Sequence, residues 1–219
     1  MQARLVPALL ISLMYICYPA YAAHHGDAAR GAVLAKQCEG CHGGSGNSRI
    51  DGFPNLANQK YFYLVKQLRE MRTSAQSRTG VADKPEHDYT ELLRQRRNNE
   101  IMDAFVFNLS DKDIEDLAAY YSNQPCTADP TSAALTAPKF DVRCRVCHGE
   151  RGIASNRNVP NIAGQDAAYL EQQLLNLKDA SGGEEGQKRR ASIMEGQVRH
   201  LSEQDIRDIS LYYARLPCR

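Results

Sequence analysis

Cys38, Cys41 and His42 stand in the run "QCEGCHGGSGN", two thiols two residues apart with an imidazole directly after the second. A Cys-x-x-Cys pair alone serves disulfide oxidoreductases, zinc ribbons and haem attachment alike. The histidine narrows the choice, because it puts an iron ligand beside two thiols spaced for thioether bonds to the vinyl groups of a haem. The motif occurs again in "RCRVCHGERG", where Cys144, Cys147 and His148 lie 106 residues after their first-copy equivalents. Two such pairs could in principle supply one zinc ion. Each pair, however, carries its own histidine and its own surrounding sequence, which a shared metal would not need. A thioredoxin-like dithiol belongs at a helix start after a strand, and no strand pattern precedes either motif. Both motifs are therefore read as attachment points for haem c, two per chain.

A low-spin electron-transfer haem needs a second axial ligand opposite its histidine, and a thioether there raises the reduction potential. Met102 lies eight residues before Ser110 and Met194 eight before Ser202, so these two methionines are equivalent, whereas Met71 has no counterpart. A lone methionine usually fills a core. The duplication of position makes Met102 and Met194 the expected iron ligands beside His42 and His148. The rival histidines, His87 and His200, sit at non-equivalent positions and read as surface residues.

The elements that must hold these ligands are repeated as well. "PNLANQKYFYLVKQL" from Pro54 matches "PNIAGQDAAYLEQQL" from Pro160 at eight of fifteen positions, still 106 residues apart. "LSDKDIEDLAAYYSNQPC" from Leu109 matches "LSEQDIRDISLYYARLPC" from Leu201 at nine of eighteen, now 92 apart. The first copy therefore carries 14 extra residues, in the polar stretch from about Arg72 to Asn99. Tyr61, Leu64, Val65 and Leu68, and again Ile114, Leu117, Ala118 and Tyr121, follow the i, i+3, i+4, i+7 spacing of amphipathic helices. Ser110 with Asp113, and Ser202 with Asp205, have capping-box spacing and start the last helix of each copy. Glycines after each motif and the prolines at 54 and 160 make the intervening segment loop. The expected fold is all-α, with two tandem domains at 23–126 and 127–219, the second entered through the linker "TADPTSAALTAP".

The first 22 residues read as a cleaved signal peptide: Arg4, an apolar run from Leu5 to Tyr18, and the small-x-small sequence Ala20, Tyr21, Ala22. The run is shorter than a membrane span needs, and Ile16 before Cys17 does not suit a lipoprotein anchor. Cleavage leaves 197 of the 219 residues and six of the seven cysteines, in an oxidising compartment, the periplasm. Without Arg4 the remaining chain has 26 basic and 26 acidic residues. That balance gives no general attraction to nucleic acid and at most peripheral association with a membrane surface. Basic runs at Arg94, Arg96 and Arg97, and at Lys188, Arg189 and Arg190, precede the two methionines and read first as solvated faces.

With both motifs, the methionines, "FPNLANQ" and "VPNIAGQ", and the "YY"-ending helices in view, the chain resembles the dihaem cytochromes of the cytochrome c4 family over nearly its whole mature length. The resemblance implies two small cytochrome c-like domains, each wrapped around one covalently bound haem, with the two haems close across the interface. It implies that Pro54 and Pro160 offer backbone carbonyls to the Nδ1–H groups of His42 and His148. It also implies one-electron transfer between a quinol-oxidising complex and a terminal oxidase or reductase. A second reading is the cytochrome subunit of a periplasmic dehydrogenase; a third, a dihaem peroxidase, needs an open iron position, against which the duplicated methionine weighs. The first-domain insertion, Pro138 within what should be the second copy's first helix, and Cys126 and Cys218 depart from the family pattern. Those two cysteines are the thiols that haem does not use, at matching positions in an exported chain. They are expected to bond to each other near the axis relating the domains, the alternatives being a bond to another chain or two separate thiols.

Overall fold

The computed structural model describes residues 26–80, 99–127, 136–180, 189 and 191–218. The signal peptide, His87, most of the first-copy insertion and most of the linker lie outside the described residues. In the first half, α1 (Ala28–Leu34) leads through a tight turn into α2 (Glu39–His42); α3 (Tyr61–Arg78), α4 (Glu100–Val106) and α5 (Asp111–Ser122) follow. The second half has α6 (Asp141–His148), α7 (Ala167–Ala180), α8 (Ser192–Val198) and α9 (Glu203–Ala214). No strand occurs among the described residues.

Each half has its own core, built from the expected helical stripes. In the first, Leu64 and Val65 of α3 pack on Ile114, Leu117, Ala118 and Tyr121 of α5, with Ala35 beneath. In the second, Leu177 of α7 and Val198 of α8 meet Leu201, Ile206, Ile209 and Tyr213. Both final helices begin with the capping box read from sequence: Ser110 accepts from Asp113 N while Asp113 accepts from Ser110 N, and Ser202 and Asp205 repeat the exchange. Each box satisfies two backbone N–H groups that a helix start otherwise leaves unpaired.

The halves differ at their entrances. Asp27 caps α1 by accepting from Ala29 N and Arg30 N. This helix crosses α5 so closely that a Cβ on Gly31 would stand 2.0 Å from the Asp116 carbonyl oxygen. Nothing larger than glycine fits there. The corresponding residues 136–140 form no helix: Pro138 stands where α1 has Ala32, and a proline inside a helix removes a donor and clashes with the preceding turn. Its carbonyl instead accepts from Asp141 N at 3.0 Å, just where α6 begins.

A third small cluster joins the halves: Ala57, Ala163 and the buried Cys126 and Cys218. The two cysteines are joined by a disulfide with their Cα atoms 6.0 Å apart, closing a separation of 92 residues.

Candidate haem-binding sites

In α6, Cys144, Cys147 and His148 stand at i, i+3 and i+4, which puts all three side chains on one helix face. In the first half the same residues lie on α2 and the turn before it. Both histidines end their helices and are buried. Directly after each, Gly43 and Gly149 take φ of +76° and +80°, which turns the chain away; a Cβ there would run into the carbonyl of Asn47 or Ile153.

His42 Nδ1 lies 2.9 Å from the Pro54 carbonyl oxygen, and His148 Nδ1 lies 2.9 Å from that of Pro160. A carbonyl only accepts, so each Nδ1 carries a proton, and in the neutral ring it is then Nε2 that holds the lone pair with which imidazole binds a metal. Burial holds His148 below its ordinary pKa, the Pro160 carbonyl opposes this, and the charge of Arg189 adds to the lowering. His148 is thereby kept neutral.

The thiols of Cys38, Cys41, Cys144 and Cys147 are free in the polypeptide, and Cys147 is exposed. Burial pushes the Cys144 thiol up to about 11 and raises Cys38. Redox-active dithiols have a lowered pKa instead. Among the described residues no three His, Cys, Asp or Glu side chains converge as a metal site, so the two pairs do not form one zinc set.

Met102 is half-buried on α4, next to Ile101 and Phe105, which are 56% and 39% exposed. Met194, on α8, packs against the second core, with Ile193 beside it 76% exposed and Val146 of the attachment helix 80% exposed. Open apolar side chains next to the thiols and thioethers suit a large apolar ring. Two closely spaced thiols and an imidazole held through Nδ1 fit haem c in both halves. Met71 belongs to the core, and His200 is an exposed residue whose Nε2 accepts from Arg199 Nε. Of the basic runs, Arg189 is described: it donates to Gln173 Oε1 and, across the two halves, to Tyr63 OH.

Four amide residues that the sequence reading left without a role meet between the halves. Asn55 N donates to Gln165 Oε1 at 2.6 Å and Gln165 Nε2 returns a bond to Asn55 O at 3.0 Å. Asn161 N donates to Gln59 Oε1 and Gln59 Nε2 to Asn161 O, both at 2.9 Å. The Asn55 and Asn161 side chains cross over too, to the carbonyls of Gly164 and Asn58. The identity of these residues in the two copies was the signal; what they bond to was not in it.

Fold and sites together define a c-type cytochrome with two attachment domains in one chain. The cytochrome c family profile matches residues 28–124 and 137–216. Cytochrome c4 of Stutzerimonas stutzeri is 33% identical over 221 residues, covering 95% of this chain and 97% of that protein. The crystal structure of reduced recombinant cytochrome c4 from Pseudomonas stutzeri superposes with a TM-score of 0.69 at 29% identity, over 88% of this chain and all of that one. The thiosulfate dehydrogenase electron acceptor of Thiomonas intermedia is 29% identical over 162 residues, 67% of this chain and 65% of that protein. The chain belongs to the cytochrome c4 family: it is a dihaem c-type cytochrome, an electron carrier that works with redox partners.

Proposed function

We propose that the chain is a periplasmic one-electron shuttle, not an enzyme, with domains meeting at Cys126 and Thr127 after removal of residues 1–22. Haem supplies a one-electron iron couple when bound. Cys38 and Cys41, and Cys144 and Cys147, hold it through thioethers. His42 with Met102 and His148 with Met194 would ligate its iron, and Pro54 and Pro160 would fix the two imidazoles. The observation that carries this reading is the pair of Nδ1-to-carbonyl bonds, which present a lone pair at Nε2 beside two free thiols in each half. An iron so ligated by side chains would leave no position for a substrate, so transfer would be outer-sphere. The partners fitting this role are a quinol-oxidising complex as donor and a terminal oxidase or reductase as acceptor. No helix among the described residues is long and apolar enough to cross a membrane, which fits peripheral contact with such complexes.

The test is spectroscopic. Oxidised protein should show the weak near-infrared band of methionine-ligated ferric haem at an intensity for two haems, and Met194→His should halve it. Intact mass should exceed the mature polypeptide by two haems. Ready binding of carbon monoxide at both irons, with no such band, would sink the shuttle reading and favour a peroxidase. A second reading, the electron-accepting cytochrome of a periplasmic dehydrogenase, draws on the likeness to the Thiomonas intermedia protein. Co-purification with a larger catalytic chain would select it.

A further inference from the structure

The amide pairs between the domains do more than join them. Pro54 C=O and Asn55 N–H are the two ends of one peptide group. Its oxygen accepts from His42 Nδ1 at 2.9 Å and its N–H donates at 2.6 Å to Gln165 Oε1, a side chain of the other domain. The Pro160–Asn161 peptide repeats the arrangement in the opposite direction: its oxygen accepts from His148 Nδ1 and its N–H donates to Gln59 Oε1, each at 2.9 Å. Each iron-ligand histidine is thus linked through a single peptide group to a glutamine of the domain that does not hold it.

Hydrogen bonds in such a chain polarise one another, by about 10–30% per bond. An acceptor on the peptide N–H makes the carbonyl oxygen more negative, and this draws the Nδ1 proton away from the ring. A ring so treated is the stronger electron donor to a metal, which favours the more oxidised ion. Gln59, Gln165 and Asn161 are all buried, so the effect acts in a medium of low dielectric. The glutamines are also held in one orientation: their Oε1 atoms accept from Lys60 N and Asp166 N, and their Nε2 atoms from above donate to Asn161 O and Asn55 O. An amide flip would lose both bonds.

We propose that Gln165 and Gln59 are crossed positioning residues: Gln165 lowers the reduction potential of the first domain's haem, and Gln59 that of the second domain's. The proposal rests on the ligation by His42 and His148 put forward above. Domain docking then sets both potentials, and a partner that pries the interface open raises them.

The test uses the full-length holoprotein with Gln165→Leu and Gln59→Leu, and follows the hyperfine-shifted ring protons of His42 and His148 by NMR through a redox titration. Gln165→Leu should raise the potential of the His42 haem by about tenfold in its one-electron equilibrium, ~59 mV, and leave the His148 haem in place. Gln59→Leu should do the reverse. Equal movement of both haems in each variant, or movement of neither, would overturn the relay. Should leucine prevent folding, Gln165→Glu keeps an acceptor oxygen for Asn55 N; the His42 haem should then fall relative to the His148 haem, and a relative rise overturns the proposal. The two readings fail differently: rings without hyperfine shifts defeat the ligation and the relay with it, whereas shifted rings with unmoved potentials defeat the relay alone.

Discussion

The two domains agree in the histidine-to-proline bonds and in the amide pairs that cross between them, and they differ in how each is braced from behind. The histidine-to-proline bonds have the same length in both, and the amide exchanges run in both directions. Asp116 and Asp208 occupy equivalent positions on α5 and α9, yet Asp116 is fully buried while Asp208 is exposed and bonded to Gln204. The cause is α1. It covers α5 and brings Asp27 N and Arg30 onto the Asp116 carboxylate, with Lys112 on the same helix completing the set. The second domain, with Pro138 in place of a helix, uses a buried bond from Tyr213 OH to Asp141 instead. A duplicated domain can therefore change its frame while the amide pairs and the histidine-to-proline bonds are kept.

The largest effect should come from the element that both domains share. Replacing Cys126 and Cys218 by serine reopens a loop of 92 residues, at a cost of about 4–5 kcal/mol in the chain-entropy model. Denaturant unfolding of the holoprotein should show a markedly lower midpoint and, with the link gone, two separable transitions. A single unchanged transition would mean that the amide pairs alone hold the domains. Next comes the aspartate pair. Asp116→Ala removes the anion from an arrangement in which Arg30 and Lys112 remain partly in water, so the expected cost is about 2–3 kcal/mol, below that of breaking a fully buried pair. Asp208→Ala should cost under about 0.5 kcal/mol. Burial alone would raise the pKa of Asp116, but Asp27 N, Arg30 and Lys112 outweigh it and hold it below 3.8. A depressed carboxylate stabilises above its unfolded pKa and loses that contribution as pH falls through the folded value. Below pH 3.8 the wild-type first domain should thus lose stability that Asp116→Ala lacks already, so the two should converge in acid-unfolding curves.

Much of the site was legible because its chemistry is local. Cys38, Cys41 and His42 are nearly contiguous, the capping boxes span four residues, and the stripes on α3 and α5 follow helical period over two turns or more. The short helices α4 and α8, of seven residues each, were not read as helices, since seven residues give too little periodicity to distinguish from loop. The amide pairs were visible as repeated letters in "PNLANQ" and "PNIAGQ", but polar residues in irregular loop carry no period that points to a partner, and their partners lie more than 100 residues away. Burial of Asp116 but not of Asp208 was equally hidden, because it depends on a helix in one copy that a single proline prevents in the other.

The smallest contrast concerns the last tyrosine of each final helix. Tyr213 donates to Asp141 Oδ1 at 2.7 Å in the second core, and Asp141 is itself buried, with Arg145 only at the edge of ion-pair range at 3.9 Å. In the first domain Ala35 stands where Asp141 is, and the hydroxyl of the equally buried Tyr121 finds no hydrogen-bond partner among the described residues. Tyr213→Phe takes a donor from a buried carboxylate and leaves the ring in place, so it should cost about 1.5–2 kcal/mol, in the range for hydrogen bonds to charged groups. Tyr121→Phe removes a buried hydroxyl with no such bond to lose, so it should cost about 0.5 kcal/mol or less. Thermal unfolding followed separately at the two haems, by the signals of His42 and His148, would read both. Equal losses would show that Asp141 does not brace the second domain in place of the missing helix, and the comparison between the two frames would then rest on Asp116 alone.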